Sequence, residues 1–182
     1  MKALVIGATG AVGKDLVAQL LKDDSFERVD VLYSCLGTTI KAAGSRDAQW
    51  KVDYTYQFEV AKAAWANGVR QYILVSSVGA DAKSKIFYSK MKGRLDEDVA
   101  KLGFPGCFIL RPPSLIRKGS DRFGEKAGVV VLKVLNAIGL MRSWTPMPTE
   151  DVAAAMVRLA KSGKTGHDII TSQEIRIFAY SK

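Results

Sequence analysis

The stretch Lys2-Ala3-Leu4-Val5-Ile6-Gly7-Ala8-Thr9-Gly10-Ala11-Val12-Gly13 decides the fold. Its apolar start, Ala3 to Ile6, is too short for a helix and rich in strand formers. Three glycines follow, and behind them Val12, Leu16, Val17, Leu20 and Leu21 recur at helical spacing on one side. Strand, glycine turn and helix in that order give a glycine pattern physical meaning. Gly7 lets the chain turn sharply, Gly10 keeps side-chain atoms away from an approaching phosphate, and Gly13 lets the helix lie close on the strand. The unpaired N–H groups at the helix start then face an anion, assisted by the helix dipole. The stretch implies a dinucleotide held over Gly7, Thr9, Gly10, Ala11, Val12 and Gly13. The alternative reading is a βα unit whose glycines serve only the turn.

Outward from this turn, strands alternate with helices. Arg28 to Leu36 is a second apolar run, and Gln71 to Ser76 and Gly106 to Arg111 read as buried strands. Helical patterns cover Tyr54 to Asn67, with Phe58, Ala61, Ala64 and Trp65 apolar, and Tyr88 to Leu102, with Met91, Leu95, Val99 and Leu102 inward. Asn67-Gly68 and Gly103 stop them. Pro112-Pro113 ends the Gly106 strand. Thr149-Glu150-Asp151 caps a helix through Ala160. Asp168 to Thr171 and Ile175 to Phe178 are short strand candidates. The expected fold is a single α/β domain over residues 1–182: a doubly wound parallel Rossmann sheet with helices on both faces. A small irregular region, about 112–148, lies on the substrate side; apolar Ala127 to Met141 reads as a helix packed over that side, with contact to a membrane surface as the alternative.

One join is anomalous. Val29 to Leu32 fits strand two, yet it runs without a turn into Tyr33-Ser34-Cys35-Leu36-Gly37-Thr38-Thr39, which reads like a later strand and its ligand-side loop. Parallel strands need a crossover between them. A segment of roughly 30 residues, about one βαβ crossover, is therefore expected to be absent between positions 32 and 34, either deleted or left out of the sequence, and a break there would support it. A single continuous strand is the alternative.

Composition bounds the function. The 182 residues include 27 Lys and Arg against 18 Asp and Glu, a net charge of +9. The basic residues are scattered, and the densest group, Arg117 to Lys126, is interrupted by Asp121 and Glu125, so nucleic acid is disfavoured as a partner. No apolar run reaches the roughly 20 residues of a membrane span. The glycine turn so near Met1 leaves no secretory leader, and the chain reads as cytoplasmic. Cys35 and Cys107 sit in apolar runs and read as reduced core thiols. The sole histidine, His167, stands beside Gly166 in an expected loop, so no metal site is expected.

Tyr88 and Lys92 lie four apart on one helix face. A phenol titrates near pH 10, roughly, and a nearby ammonium lowers that value. Such a tyrosine exchanges a proton with a substrate oxygen. Ser76-Ser77 ends the preceding strand, on the ligand side of an open sheet.

With these in order, the chain resembles the short-chain dehydrogenase/reductase superfamily. Gly7 to Gly13 resembles its extended and atypical branches. Cys35 to Thr39, Val75 to Asp81, Tyr88 to Gly93 and Leu110-Arg111-Pro112 are most similar to the oxidoreductases related to the Tat-interacting protein. The resemblance covers the chain to about Ala160. It implies phosphates over the glycine turn, Leu36 and Gly37 beside the cofactor, and Leu115 and Ile116 at the nicotinamide end. It makes Tyr88 the proton donor, Lys92 the holder of the nicotinamide ribose, and Ser77 the polarising serine, with Ser76 close behind. The implied function is hydride transfer between NADP, or NAD, and a small carbonyl or alcohol. The basic pair that selects the cofactor after strand two has no counterpart here. A cofactor-sensing module acting through a protein partner remains the second reading. Self-association stays open.

Overall fold

The computed structural model describes residues 2–20, 29–116 and 145–181. Five strands form one parallel sheet: β1 (Lys2–Ile6), β2 (Val29–Ser34), β3 (Gln71–Val75), β4 (Gly106–Leu110) and, after a two-residue pair described below, β7 (Gly166–Ile170). Their spatial order is β1-β2-β3-β4-β7. The register aligns Leu4 with Leu32, Ser34 with Leu74, and Ile109 with Ile169. β5 (Leu115–Ile116) and β6 (Met147–Pro148) make a separate parallel pair.

Apolar side chains alternate between the two sheet faces, as strands buried on both sides require. Val31, Tyr33, Ile73, Phe108 and Leu110 point to one face. There they meet α1 (Ala11–Leu20), α6 (Thr149–Lys161) and α7 (Ser172–Tyr180), through Val12, Leu16, Val152, Met156 and Ile175. Leu32, Tyr72, Leu74, Cys107 and Ile109 point to the other. That face is covered by α4 (Gln57–Ala66) and α5 (Phe87–Ala100), through Ala61, Ala64, Leu95 and Val99. The α/β, Rossmann-like class expected from the sequence is the one observed.

The loop after β2 leads through α2 (Ile40–Ala43) and α3 (Arg46–Trp50) into a π-helical turn, Lys51–Tyr56, that runs straight into α4. The helix expected from Tyr54 thus begins earlier. Asn67 and Gly68 close it, Gly68 at φ +78°, and Trp65 is exposed.

Several expectations are corrected. β2 runs unbroken through Tyr33 and pairs with β1 and β3. Ile175 to Phe178 is helical, within α7. Thr171 caps that helix: its Oγ1 accepts from the Glu174 N–H, and Glu174 Oε2 accepts from the Thr171 N–H at 2.8 Å. The Thr-x-x-Glu spacing of a capping box was readable in the sequence. The cap position of α6 is Pro148, with Thr149 its first residue, while Glu150 and Asp151 still oppose the helix dipole. His167 is exposed on β7 rather than in a loop. Most of the expected 112–148 region, including Ala127 to Met141, lies outside the described residues.

Gly93 carries a constraint the sequence did not reveal. A Cβ there would stand 2.5 Å from the Asp81 backbone nitrogen and closer still to Ala82. α5 can therefore lie against the 81–82 loop only as glycine at that point, and this contact holds the helix that bears Tyr88 and Lys92. Gly93→Ala is expected to cost about 1–3 kcal/mol, measured by urea unfolding; stability within about 0.5 kcal/mol of the parent would show that the loop yields freely.

Candidate functional site

A cavity of about 950 Å³ opens at the C-terminal ends of β1, β2 and β3. Open parallel sheets hold ligands at that edge. Its floor is the glycine turn. Gly7 takes φ +79°, and a Cβ on it would come within 2.5 Å of the Cys35 carbonyl and the Leu36 nitrogen. Gly10 donates its N–H to the Gly7 carbonyl at 2.9 Å, and its own carbonyl accepts from Lys14, starting α1. Gly13 is pressed on the Gly7 carbonyl and Ala8 so closely that no Cβ fits. The three glycines thus have separate physical jobs: Gly7 turns the chain beneath the β2 loop, Gly10 keeps the floor open, and Gly13 seats the helix.

Of the residues expected to bind cofactor, Thr9, Gly10, Ala11, Val12, Leu36, Gly37, Tyr88, Lys92 and Leu115 all line the cavity. Gly7 and Gly13 support it from beneath. Ser76 also lines it, but Ser77 does not: the Ser77 hydroxyl donates to the Val78 carbonyl at 3.2 Å.

Lys92 is only 3% exposed. Tyr88, one turn earlier on α5, is 42% exposed at the cavity mouth. Among the described residues no hydrogen-bond acceptor is recorded for the Lys92 ammonium; its neighbours act on it through space. Two buried carboxyls lie in its field. Asp53 is held above the usual carboxylate range by burial, and Lys92, the Thr38 N–H and Gln49 pull it back down. Asp96 is likewise held up by burial, against Ser76 and the Arg111 guanidinium, whose Nε and Nη2 donate to Asp96 Oδ2 at 3.0 and 2.9 Å. Burial pushes the Cys35 thiol up to about 12, opposed by Lys92, so this thiol is protonated at neutral pH. Cys35 borders the cavity and also packs against the core, its Sγ donating to Met156 Sδ at 4.0 Å, while Cys107 is buried on β4.

Sequence reasoning missed the residues that bolt the cavity loop in place. Gln49, Asp53 and Gln57 are buried polar groups one helical turn apart. The Thr38 N–H donates to Asp53 Oδ1 at 2.7 Å, and Gln49 Nε2 donates to the Thr38 carbonyl at 2.9 Å. Ser34 donates to Gln57 Oε1 at 2.6 Å, and Gln57 Nε2 donates to the Asp53 carbonyl at 2.7 Å. The signal was a polar stripe at i, i+4 and i+8 through an otherwise mixed helix. It was hidden because the expected helix began after Asp53. The π-helical turn that carries Asp53 is a feature often found at functional sites.

A second cavity, about 660 Å³, lies beyond the β4 and β7 tips and contains Arg111 and Arg176. No described helix is long and apolar enough to cross a membrane. Among the described residues no cluster of three or more His, Cys, Asp or Glu is placed to hold a metal ion.

No protein-family model matches the chain. Curated relatives do. The protein FMP52-1, mitochondrial, of Scheffersomyces stipitis is 32% identical over 200 residues, covering 88% of this chain and 88% of the relative. The protein FMP52, mitochondrial, of Eremothecium gossypii is 30% identical over 215 residues, covering 96% of each. An 88% share of 182 residues is about 160, so about 40 positions of the 200-residue match have no residue in this chain, enough for a crossover. Among solved structures, a dTDP-4-dehydrorhamnose reductase from Clostridium acetobutylicum superposes with TM-score 0.67 at 20% identity, over 94% of this chain and 74% of that one. A short-chain dehydrogenase/reductase superfamily protein from Agrobacterium tumefaciens with bound NAD gives TM-score 0.71 at 14% identity, over 93% and 76%. At such identities the structures establish the Rossmann-type fold. The relatives' names carry no mention of the Tat-interacting branch. They do say mitochondrial, which overturns the cytoplasmic expectation. That expectation weighed only a secretory leader and a membrane span, and neither reports on mitochondrial import. With 32% of positions shared across nearly nine-tenths of both sequences, the chain belongs to the FMP52 family.

Proposed function

We propose that this chain is an NAD(P)(H)-dependent oxidoreductase acting on a small carbonyl or alcohol, with Ser76, Tyr88 and Lys92 as its working side chains. The observation that carries the reading is Lys92: a nearly buried ammonium lining a glycine-floored cavity, one turn from Tyr88. A buried charge is costly unless something answers it. Here the carboxyls of Asp53 and Asp96 answer through space, and the hydrogen-bonding capacity of the ammonium is left for a ligand.

The cavity fits a nicotinamide nucleotide. The N–H groups of Ala11, Val12 and Gly13 open α1 above the glycine turn, as a pyrophosphate requires. A Cβ at Gly10 would crowd the floor, 3.2 Å from the Gly7 carbonyl. When bound, the cofactor supplies or accepts a hydride. The protein's part is positional and acid–base. Lys92 would hold the ribose hydroxyls. Ser76 would donate a hydrogen bond to the substrate oxygen. Tyr88 would give its proton to that oxygen in reduction and take it back in oxidation. Asp53 acts through the backbone, fixing Thr38 and hence Leu36 and Gly37 along one wall. The relatives' names support a mitochondrial setting.

Tyr88→Phe is expected to lower kcat on a carbonyl panel by about 10²–10⁴-fold, with NADH affinity unchanged within about twofold by fluorescence titration. Turnover equal to the parent would refute the assignment. Lys92→Met is expected to weaken NADH binding by at least about tenfold; undiminished affinity would remove Lys92 from the site. Ser76→Ala is expected to lower kcat by about 10²-fold, whereas Ser77→Ala changes it less than about threefold. The reverse order would return the role to Ser77.

A further inference from the structure

The first crossover carries the chain the unexpected way. In the doubly wound order 3-2-1-4-5-6, the strand after the first helix lies outside β1, and a side chain at its tip reads the adenosine ribose. Here the strand after α1 is β2, and it lies inside, between β1 and β3. Its tip does not face an adenosine. It packs down on the glycine turn, where the Cys35 and Leu36 backbones leave no space for a Cβ on Gly7. The next segment, Thr38 and Thr39, enters the nicotinamide-side wall bolted to Gln49 and Asp53. β2 therefore occupies the place of the fourth strand of the standard order.

An acidic residue does occur at the chain distance where a ribose reader is expected, about 20 residues past the glycine turn. It is Asp30, and it sits at the wrong end. Its carbonyl accepts from the Arg70 N–H where the strand enters the sheet. At about 3.3 Å per residue, it lies about 13 Å upstream of the Ser34 tip. The relatives, with about 40 positions that this chain lacks, have length enough for another strand and helix. The match does not locate that difference.

We infer that this chain grips a nicotinamide nucleotide through its pyrophosphate and nicotinamide half alone and does not distinguish NADPH from NADH. The inference rests on the cofactor reading above. Among the described residues, the cavity-lining cations besides Lys92 are Lys14 and Lys41, which would meet the phosphate charge. They attract by charge and not by a fixed fork, so their pull is screened by salt.

The test uses the full chain, titrated with NADH and NADPH and followed by nicotinamide fluorescence. Salt is set at about 0.3 M KCl, where the screening length is about 6 Å. Dissociation constants for NADH and NADPH within about threefold of each other are expected. A larger preference for either dinucleotide overturns the inference while leaving nicotinamide binding intact. Failure of both to bind overturns this inference and the proposed function together. Asp30→Asn is expected to leave the NADH to NADPH ratio unchanged within about twofold; a loss confined to NADH would make Asp30 the ribose reader and refute the placement.

Discussion

Backbone meets backbone at Gly7. Its turn lies so close to Cys35 and Leu36 that even one methyl group would not fit between them. That contact sets the height of the β2 loop over the first turn, and with it the width of the cavity. The start of α1, the wall at Leu36 and Gly37, and the ammonium of Lys92 take their separation from it. Side chains can shift by rotamer when crowded, but two backbones cannot, so the geometry is fixed by composition at a single residue.

A second layer of restraint is polar. Gln49, Asp53 and Gln57 reach from one continuous helical stretch to Ser34 and Thr38, where the loop would otherwise expose unpaired backbone groups to a dry interior. The π-helical turn at Lys51–Tyr56 adjusts which face these residues present. On the far side, Tyr54 donates to Asp98 at 2.8 Å, and Trp50 packs on Phe87 at 6.1 Å between ring centres. The same helical stretch thus braces the cavity loop and the N-terminal turn of α5. The Asp53 and Asp96 carboxyls act on the nearly buried Lys92 through space, while Asp96 pairs directly with Arg111 at 2.9 Å. A buried pair is weak evidence of stabilisation in general.

Much of the cavity was legible. The glycine turn, the Tyr88 and Lys92 spacing and the serines after β3 are local patterns whose geometry follows from chain stereochemistry. Ser76 and Ser77 could not be told apart, because neighbours on a strand tip point to opposite sides and the sequence carries no mark of which side the cavity takes. Asp53 was passed over because its importance depends on Thr38, fifteen residues away across a loop. Ile175 to Phe178 looked like a strand from its apolar alternation, but the capping pair Thr171 and Glu174 made it a helix.

By itself, the sequence determined the strand–turn–helix start, the parallel α/β class, and the one-turn pairing of Tyr88 with Lys92, since each depends on residues within a few positions of one another. Only the tertiary structure decided that Val29 to Ser34 is one strand and that it lies inside β1 rather than outside it. The reason is physical. A strand buried on both faces shows the same apolar run whatever its neighbours, and the hydrogen bonds that choose those neighbours come from segments far away in the chain.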